Sequence, residues 1–289
     1  MEEKIAEHYF PDYGAGRRKV LGDKIVSALQ QAGKDMENLE LKDLSTIDQL
    51  HTGGHLATIE LMKNSGLKPD DKILDAGCGI GGSSRLIAKE FKLKVTGIDI
   101  VDEFIVTAQI LTGLTDKKNK FKDLLEFNQG TIMQLPGQDC MYDAVLSQHT
   151  LMNIQEKDLV FNEFARVLKP KAKLLLYEIV KKKDLGIKPF EFPVPWAASH
   201  DISFLITWES LLEKCQKAGF ELVYYSDKTD QAEIWWATVK EITKKFSDNP
   251  RPLGPHIIFG ENGKHFGRTM TSNLENNHIS LVEAVLKKL

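Results

Sequence analysis

The chain has 289 residues, 42% hydrophobic and 27% charged, with 38 basic against 41 acidic residues and a net charge of −3. That mix excludes wholesale disorder, and the charge balance argues against a dedicated nucleic-acid binder. No apolar run reaches the ~18 residues of a membrane span, Met1-Glu2-Glu3-Lys4 lacks a secretory pattern, and three widely spaced cysteines, Cys78, Cys140 and Cys215, fit a reduced, cytoplasmic protein without disulfide framework or zinc site.

Residues 1–66 read as helical and polar. Leu44, Ile47, Leu50 and then Leu56, Ile59, Leu61, Met62 recur at helical spacing, broken by Gly53-Gly54. After the turn at 67–71, short apolar runs alternate with helical stretches. Strands are predicted over 72–76, 93–98, 125–131, 142–148 and 174–180. Helices are predicted over 82–91, 103–111 and 158–168, the last ended by Lys169-Pro170. Residues 181–206 break the rhythm with Pro189, Pro193, Pro195 and the aromatics Phe190, Phe192, Trp196 and Phe204; a stretch so long and aromatic is expected to cover something. A helix follows over 207–218 with Thr207 as N-cap. A strand is expected at 220–225 and a helix at 229–246, then a Pro/Gly break over 249–255. Residues 279–286 close the series as a strand, although a helix is nearly as compatible. The expected fold is α/β: a doubly wound, mostly parallel seven-stranded sheet covered on both faces, with a helical N-terminal cover and lid insertions.

The densest chemical signal is Ile73-Leu74-Asp75-Ala76-Gly77-Cys78-Gly79-Ile80-Gly81-Gly82. A strand runs into glycines and then a helix, and glycines at a strand's C-terminal end let a ligand approach the backbone. Gly77, Gly79 and Gly82 satisfy G-x-G-x-x-G, and Asp99 follows twenty residues after Gly79, where an acid can accept from both ribose hydroxyls. Those facts suit a nicotinamide cofactor or S-adenosylmethionine. Asp75 separates the two. A buried carboxylate there would oppose a pyrophosphate and would suit an ammonium or sulfonium charge.

The D-x-G-x-G run from Asp75, the strand end Gly97-Ile98-Asp99 and Arg166-Val167-Leu168-Lys169-Pro170 resemble the class I S-adenosylmethionine-dependent methyltransferases, with a Rossmann-like fold. Within them the chain looks most like two small-molecule groups: the ubiquinone/menaquinone-biosynthesis enzymes and the glycine, sarcosine and dimethylglycine N-methyltransferases. The resemblance covers roughly residues 50–180. It implies that Asp75, Ala76, Gly77 and Gly79 hold the methionine part of S-adenosylmethionine, that Asp99 takes the ribose and that Ile100 packs on the adenine. Family members commonly carry an acid for the adenine amine after the glycine of Asn128-Gln129-Gly130; here Thr131 stands there, followed by Ile132, whose amide is the remaining contact. Gln148 ends the fourth strand beside the methionine portion. The segment Asp48-Gln49-Leu50-His51-Thr52-Gly53-Gly54, with His51 and Gly53, resembles one that closes over the cofactor's carboxylate.

Methyl transfer from a sulfonium has a neutral leaving group, so no acid is needed to expel it. A deprotonated amine attacks unaided, whereas a phenol or acidic carbon needs a base. His149, just past the fourth strand, is the candidate base. Trp196 and His200 are candidates for the acceptor side, where aromatic walls favour a cationic amine through cation–π contact. His55 and His256 are weaker candidates, and Trp235-Trp236 read as core or interface residues. The segment Tyr9-Phe10-Pro11-Asp12-Tyr13 is a possible cofactor cover, with a frayed terminus the simpler expectation. The Lys181-Lys182-Lys183 and Lys117-Lys118 runs read as solvated loops. The expected partner is a small-molecule methyl acceptor, slightly favouring an amine, with no nucleic acid, membrane or metal. The competing readings are a nicotinamide-dependent oxidoreductase and a non-catalytic S-adenosylmethionine-binding protein. The domain expectation is a cover over 1–66 and one catalytic domain over 67–289, with a lid insertion at 181–206.

Overall fold

The computed structural model describes residues 2–9, 20–182, 188–246 and 251–289. Of the residues named above, Met1, 10–13, 183–187 of the 181–206 stretch and 249–250 lie outside them. Among the described residues, helices α1 (Glu2–Tyr9), α2 (Val20–Gln31), α3 (Leu41–Leu44) and α4 (Gly54–Ser65) precede the sheet. Strand and helix then alternate: β1 (Lys72–Ala76), α5 (Gly82–Phe91), β2 (Lys94–Asp99), α6 (Asp102–Thr115), β3 (Leu125–Gln129), β4 (Tyr142–Gln148), α7 (Lys157–Val167) and β5 (Leu168–Lys181). The chain continues through α8 (Trp208–Lys217), β6 (Phe220–Asp227), α9 (Thr229–Lys245), α10 (His256–Phe259), α11 (Phe266–Glu275) and β7 (Ile279–Lys288).

The seven strands form one sheet in the order β3-β2-β1-β4-β5-β7-β6. The first five are parallel, and β7 runs antiparallel between β5 and β6. The mostly parallel seven-stranded sheet expected from sequence is therefore present. Alternate residues feed two cores. Ile73, Leu175, Ile179 and Leu281 pack with Ile25, Leu61 and Ile47 on one face. Leu74, Leu174, Leu176 and Val282 pack with Phe161, Phe164 and Leu211 on the other. Each such fully buried side chain contributes about 1.5–3 kcal/mol of apolar burial.

Several element ends differ from expectation for physical reasons. Helix α7 stops at Val167, and β5 starts at once at Leu168, ahead of Pro170. The ladder with β4 shifts from Tyr142–Leu168 to Ala144–Lys173, so Pro170 sits in the irregular stretch where no ladder donor is required. Strand β7 is buried along its first eight residues. Burial on both faces erases the alternation that separates strand from helix, which is why its sequence fitted both. Thr207 caps α8 as expected, its Oγ1 accepting from the Ser210 amide at 3.3 Å. Among the described residues no helix is long and apolar enough to cross a membrane.

The chain steps outward from β1 to β2 and β3, then returns to place β4 on the other side of β1. Open α/β sheets bind ligands beyond the strand ends at such a reversal. A cleft lies there, with about 1170 Å³ of empty space including its open mouth.

Candidate active site

The glycine turn forms the cleft's floor. The Gly77 and Cys78 amides donate to the Ile98 carbonyl at 2.8 and 3.0 Å, bending the chain off β1 toward β2. Gly77 has φ +86°, and a Cβ there would stand 2.4 Å from Thr150 Oγ1. Gly79 has φ +53° and open space where a Cβ would be. The first glycine therefore permits packing, and the second leaves room over the backbone.

Two carboxylates flank the turn. Asp99 Oδ2 accepts from the Gly79 amide at 2.8 Å and Oδ1 from the Val101 amide at 3.0 Å. Asp75, at the end of β1, accepts the Ser84 hydroxyl. Burial pushes both carboxyls up to about 6 from the usual range, and Asp99 adds repulsion at Asp75. Asp48, also on the cleft, is different: its Oδ2 pairs with Arg85 Nη2 at 3.0 Å, and both side chains are buried.

The segment before α4 closes one side. A Cβ on Gly82 would meet the Asp48 carbonyl oxygen at 1.9 Å, so this glycine lets residues 48–49 lie directly on the start of α5. His51 Nε2–H donates to the Gly54 carbonyl at 2.9 Å. Burial lowers its imidazole to about 4, so it is neutral near pH 7. Thr58 Oγ1 and Ser83 Oγ donate to Gln148 Oε1 at 3.2 and 2.9 Å. That commits the amide oxygen and leaves Gln148 Nε2 buried without a partner.

At the end of β4, His149 takes a left-handed φ of +53°. Its amide donates to the Tyr177 carbonyl at 2.9 Å, and its ring stacks on Tyr177 at 5.6 Å and 12°. His149 Nε2 is buried and unpartnered. Burial, and secondarily His51, holds the imidazole well below its usual value. Beneath it, Glu178 accepts from Ser147 Oγ at 2.7 Å and from the Thr150 and Leu151 amides at 3.1–3.2 Å. Burial still raises its carboxyl to about 7.

The opposite wall is assembled from distant segments. Asn153 Nδ2 donates to the Trp196 and Ile202 carbonyls at 2.7 and 3.0 Å, and its Oδ1 accepts the Tyr9 hydroxyl at 2.8 Å. His8 Nε2–H donates to the Pro195 carbonyl at 3.2 Å. Phe104, Met152, Trp196 and Phe259 make this wall apolar. Among the described residues no lysine or arginine lines the cleft.

The structure brings His51, Asp75, Gly77, Gly79, Asp99, Ile100, Thr131, Ile132, Gln148, His149 and Trp196 to one cleft. Three expected site residues are not on it. Ala76 is fully buried in β1 beneath the turn, its carbonyl accepting from Thr150 Oγ1 at 3.0 Å. Gly53 is the N-cap of α4, where a Cβ would come within 2.9 Å of Ala57 Cβ and 3.2 Å of the Tyr177 hydroxyl. His200 sits on a surface turn, its side chain 87% exposed and 3.1 Å from Asp201. Flanking prolines and aromatics pointed to His200 falsely, because those aromatics turn inward while the turn between them faces solvent. His55 and His256 are also off the cleft. Trp236 is core, donating from Nε1 to Thr52 Oγ1 at 3.1 Å, whereas its neighbour Trp235 is exposed. Tyr9 is not frayed: α1 is docked through it, with Ile5 and Ala6 buried.

Sequence reading missed Glu2, Asn153 and Phe259 on the cleft, and Tyr177 and Glu178, which support residues 149–151 from behind it. Glu178 had a signal, an acid inside the otherwise apolar run 174–180. The others carry no local pattern.

A family model described as a methyltransferase domain matches residues 67–234. Phosphoethanolamine N-methyltransferase 1 of Zea mays is 31% identical over 182 residues, covering 62% of this chain and 34% of that protein. A sterol 24-C-methyltransferase of Gibberella zeae is 30% identical over 221 residues, covering 74% of this chain and 56% of that protein. The chain thus spans about a third to a half of the length of these relatives. The Haemonchus contortus phosphoethanolamine N-methyltransferase 2, solved with phosphomonomethylethanolamine and S-adenosylhomocysteine, has a TM-score of 0.71 and 16% identity, covering 100% of this chain and 60% of that one. At that identity the likeness is one of fold.

Proposed function

The chain belongs to the methyltransferase-domain family, and on that premise we propose that it catalyses S-adenosylmethionine-dependent methyl transfer to a small-molecule acceptor, an amine in first place. The observation that carries this reading is the pair Asp75 and Asp99 around an open glycine turn. Asp75 is buried and Asp99 half-buried, and their hydrogen-bond partners are a hydroxyl and backbone amides rather than cations. Such carboxylates call for a ligand that brings a positive charge and hydroxyl donors. The buried, unpartnered Gln148 Nε2 is a donor suited to a carboxylate. These residues fit the cofactor: Asp75 and Gly77 would hold the methionine ammonium, Gln148 its carboxylate, Asp99 the ribose, and Ile100 and Ile132 the base.

When bound, S-adenosylmethionine supplies a methyl group on a positively charged sulfur. The protein's part is to align the acceptor and exclude water, which can supply about 7–11 kcal/mol in favourable cases. Trp196, Phe259 and Tyr9 form a dry wall for that purpose. His149, retained from the sequence, takes a narrower role. A neutral imidazole in so apolar a place is a weak base, so it orients an N–H through Nε2 rather than abstracting a proton. The same burial lowers the pKa of an entering amine and releases its lone pair. This supports an amine over a phenol or acidic carbon. The apolar wall and the carboxylates of the cleft further support an acceptor without a phosphate group.

The N-terminal helices share one core with the sheet, Ile25 and Leu29 packing in the cluster that holds Ile73 and Val95. This supports reading residues 1–66 as a cover that folds with the catalytic domain, and 188–206 as part of the acceptor wall. The three cysteines are free thiols, which supports a cytoplasmic placement.

Calorimetric titration with S-adenosylmethionine and S-adenosylhomocysteine tests the cofactor reading; binding of neither would end it. Release of S-adenosylhomocysteine against panels of amines, phenols and carbon acids tests the acceptor. Turnover confined to phenols would reject the amine and restore a base to the mechanism.

A further inference from the structure

Helix α1 presents Glu2, Ile5 and Tyr9 to the cleft, at spacings of three and four residues that place them on one helical face. Ile5 and Ala6 are buried, and His8 and Tyr9 bond across to Pro195 and Asn153, so this face is anchored along its length. At its first turn Glu2 Oε1 accepts the Thr131 hydroxyl at 2.6 Å. Thr131 follows Gly130, whose amide donates to the Asp99 carbonyl at 2.9 Å. Cleft residues therefore follow the sheet order outward: Asp75 on β1, Asp99 on β2, and Thr131 with Glu2 beyond β3.

The groups of the bound ligand must run in that same order. With the ammonium at Asp75 and the ribose at Asp99, the base lies beside Ile100, Ile132 and Thr131. Thr131 cannot offer a charged acceptor, but it holds one supplied from α1. We propose that Glu2 reads the exocyclic 6-amino group of the cofactor's base, its carboxylate held in place by the Thr131 hydroxyl. This inference rests on the S-adenosylmethionine reading above. A carboxylate accepts hydrogen bonds and donates none, so it matches a 6-amino group and repels a 6-oxo group at the same position. Base recognition and acceptor enclosure are then joined in one short helix, because Glu2 and Tyr9 sit at its two ends.

The test compares S-adenosylhomocysteine with its 6-oxo analogue, S-inosylhomocysteine, by calorimetry on the full chain. The native protein should prefer the 6-amino ligand by about tenfold or more, the worth of one charge-assisted hydrogen bond. Glu2→Ala should lose that preference by weakening the 6-amino ligand alone. Thr131→Asp in the Glu2→Ala background should restore it by placing an acid one residue past Gly130. An unchanged preference in Glu2→Ala overturns the proposal. So does an equal loss for both ligands, which would mean that Glu2 only seats α1. Failure of the native protein to bind either ligand would instead remove the cofactor reading, and this inference with it.

Discussion

The two halves of the cleft are built in opposite ways. The floor comes from contiguous chain: Asp75 to Gly82 with Asp99 one strand over, joined by backbone amides that donate to the Ile98 carbonyl and to the Asp99 carboxylate. The wall comes from residues far apart in sequence: Tyr9 meets Asn153, Asn153 meets Trp196 and Ile202, and Phe259 packs near Tyr9 at 6.3 Å. A floor of backbone amides and glycines offers the same shape to any ligand of the right polarity. A wall of side chains on separate segments can change one residue at a time. On the proposed function, the common cofactor would belong to the floor and the particular acceptor to the wall.

The largest expected effect tests whether floor and cover are one unit. Arg85→Met leaves Asp48 buried without its cation and should cost about 3–5 kcal/mol of stability in urea titrations, reduced to the extent that Asp48 takes up a proton. A loss under 1 kcal/mol by the same measurement would mean that the 48–54 segment is not held by this pair.

The next effect separates the halves. Asp99→Ala should weaken S-adenosylhomocysteine binding by about 1.5–3 kcal/mol per lost charged hydrogen bond, while leaving KM for the acceptor nearly unchanged at saturating cofactor. An acceptor KM that moved with cofactor affinity would break the division.

Asn153→Leu is the reciprocal change. It strips the Trp196 and Ile202 carbonyls and the Tyr9 hydroxyl of their partner, at about 1–3 kcal/mol of stability, and should raise acceptor KM more than it changes cofactor affinity. An effect on the cofactor alone would move Asn153 to the other half.

Acidity should act on the floor. Asp75 and Asp99 sit at about 6 in the free protein, above their unfolded values. A raised carboxyl pKa adds stability at low pH that is lost as pH rises from near 4 through 6. Binding of a cationic ligand runs the other way, because it needs the ionised forms. Affinity should be flat above pH 7 and fall by about tenfold, or 1.4 kcal/mol, for each linked proton per pH unit below 6. Affinity independent of pH between 5 and 7 would contradict the cationic contact.

The smallest expected effect concerns His200. Its exposed side chain predicts that His200→Ala leaves stability within about 0.5 kcal/mol and turnover unchanged; a raised acceptor KM would bring the surface turn back into the site.

Legibility in the sequence followed the same division. Strands β1 and β4 and helix α5 were readable to the residue, because each has its own apolar period and breakers. Asp75, Gly77, Gly79 and Asp99 could be placed beside one another from sequence because they are local to strand ends, and they share one cleft. Gly53 and Ala76 were drawn in by position along the motif, but one caps a helix and the other faces the core. His200 was drawn in by composition, which does not say which way a side chain points. The role of Thr131 could not be read from its neighbours, since its acid partner is Glu2, 129 residues away.

The sequence by itself determined the parallel part of the sheet and the glycine turn at its strand ends, since these follow from periodicity, glycine conformation and charges beside strand ends, whereas the antiparallel place of β7 came from the fold. Tertiary structure alone decided the wall and the protonation states. Which side chains meet across more than a hundred residues depends on how helices dock on the sheet, and whether an imidazole or carboxyl is charged depends on the water that docking removes.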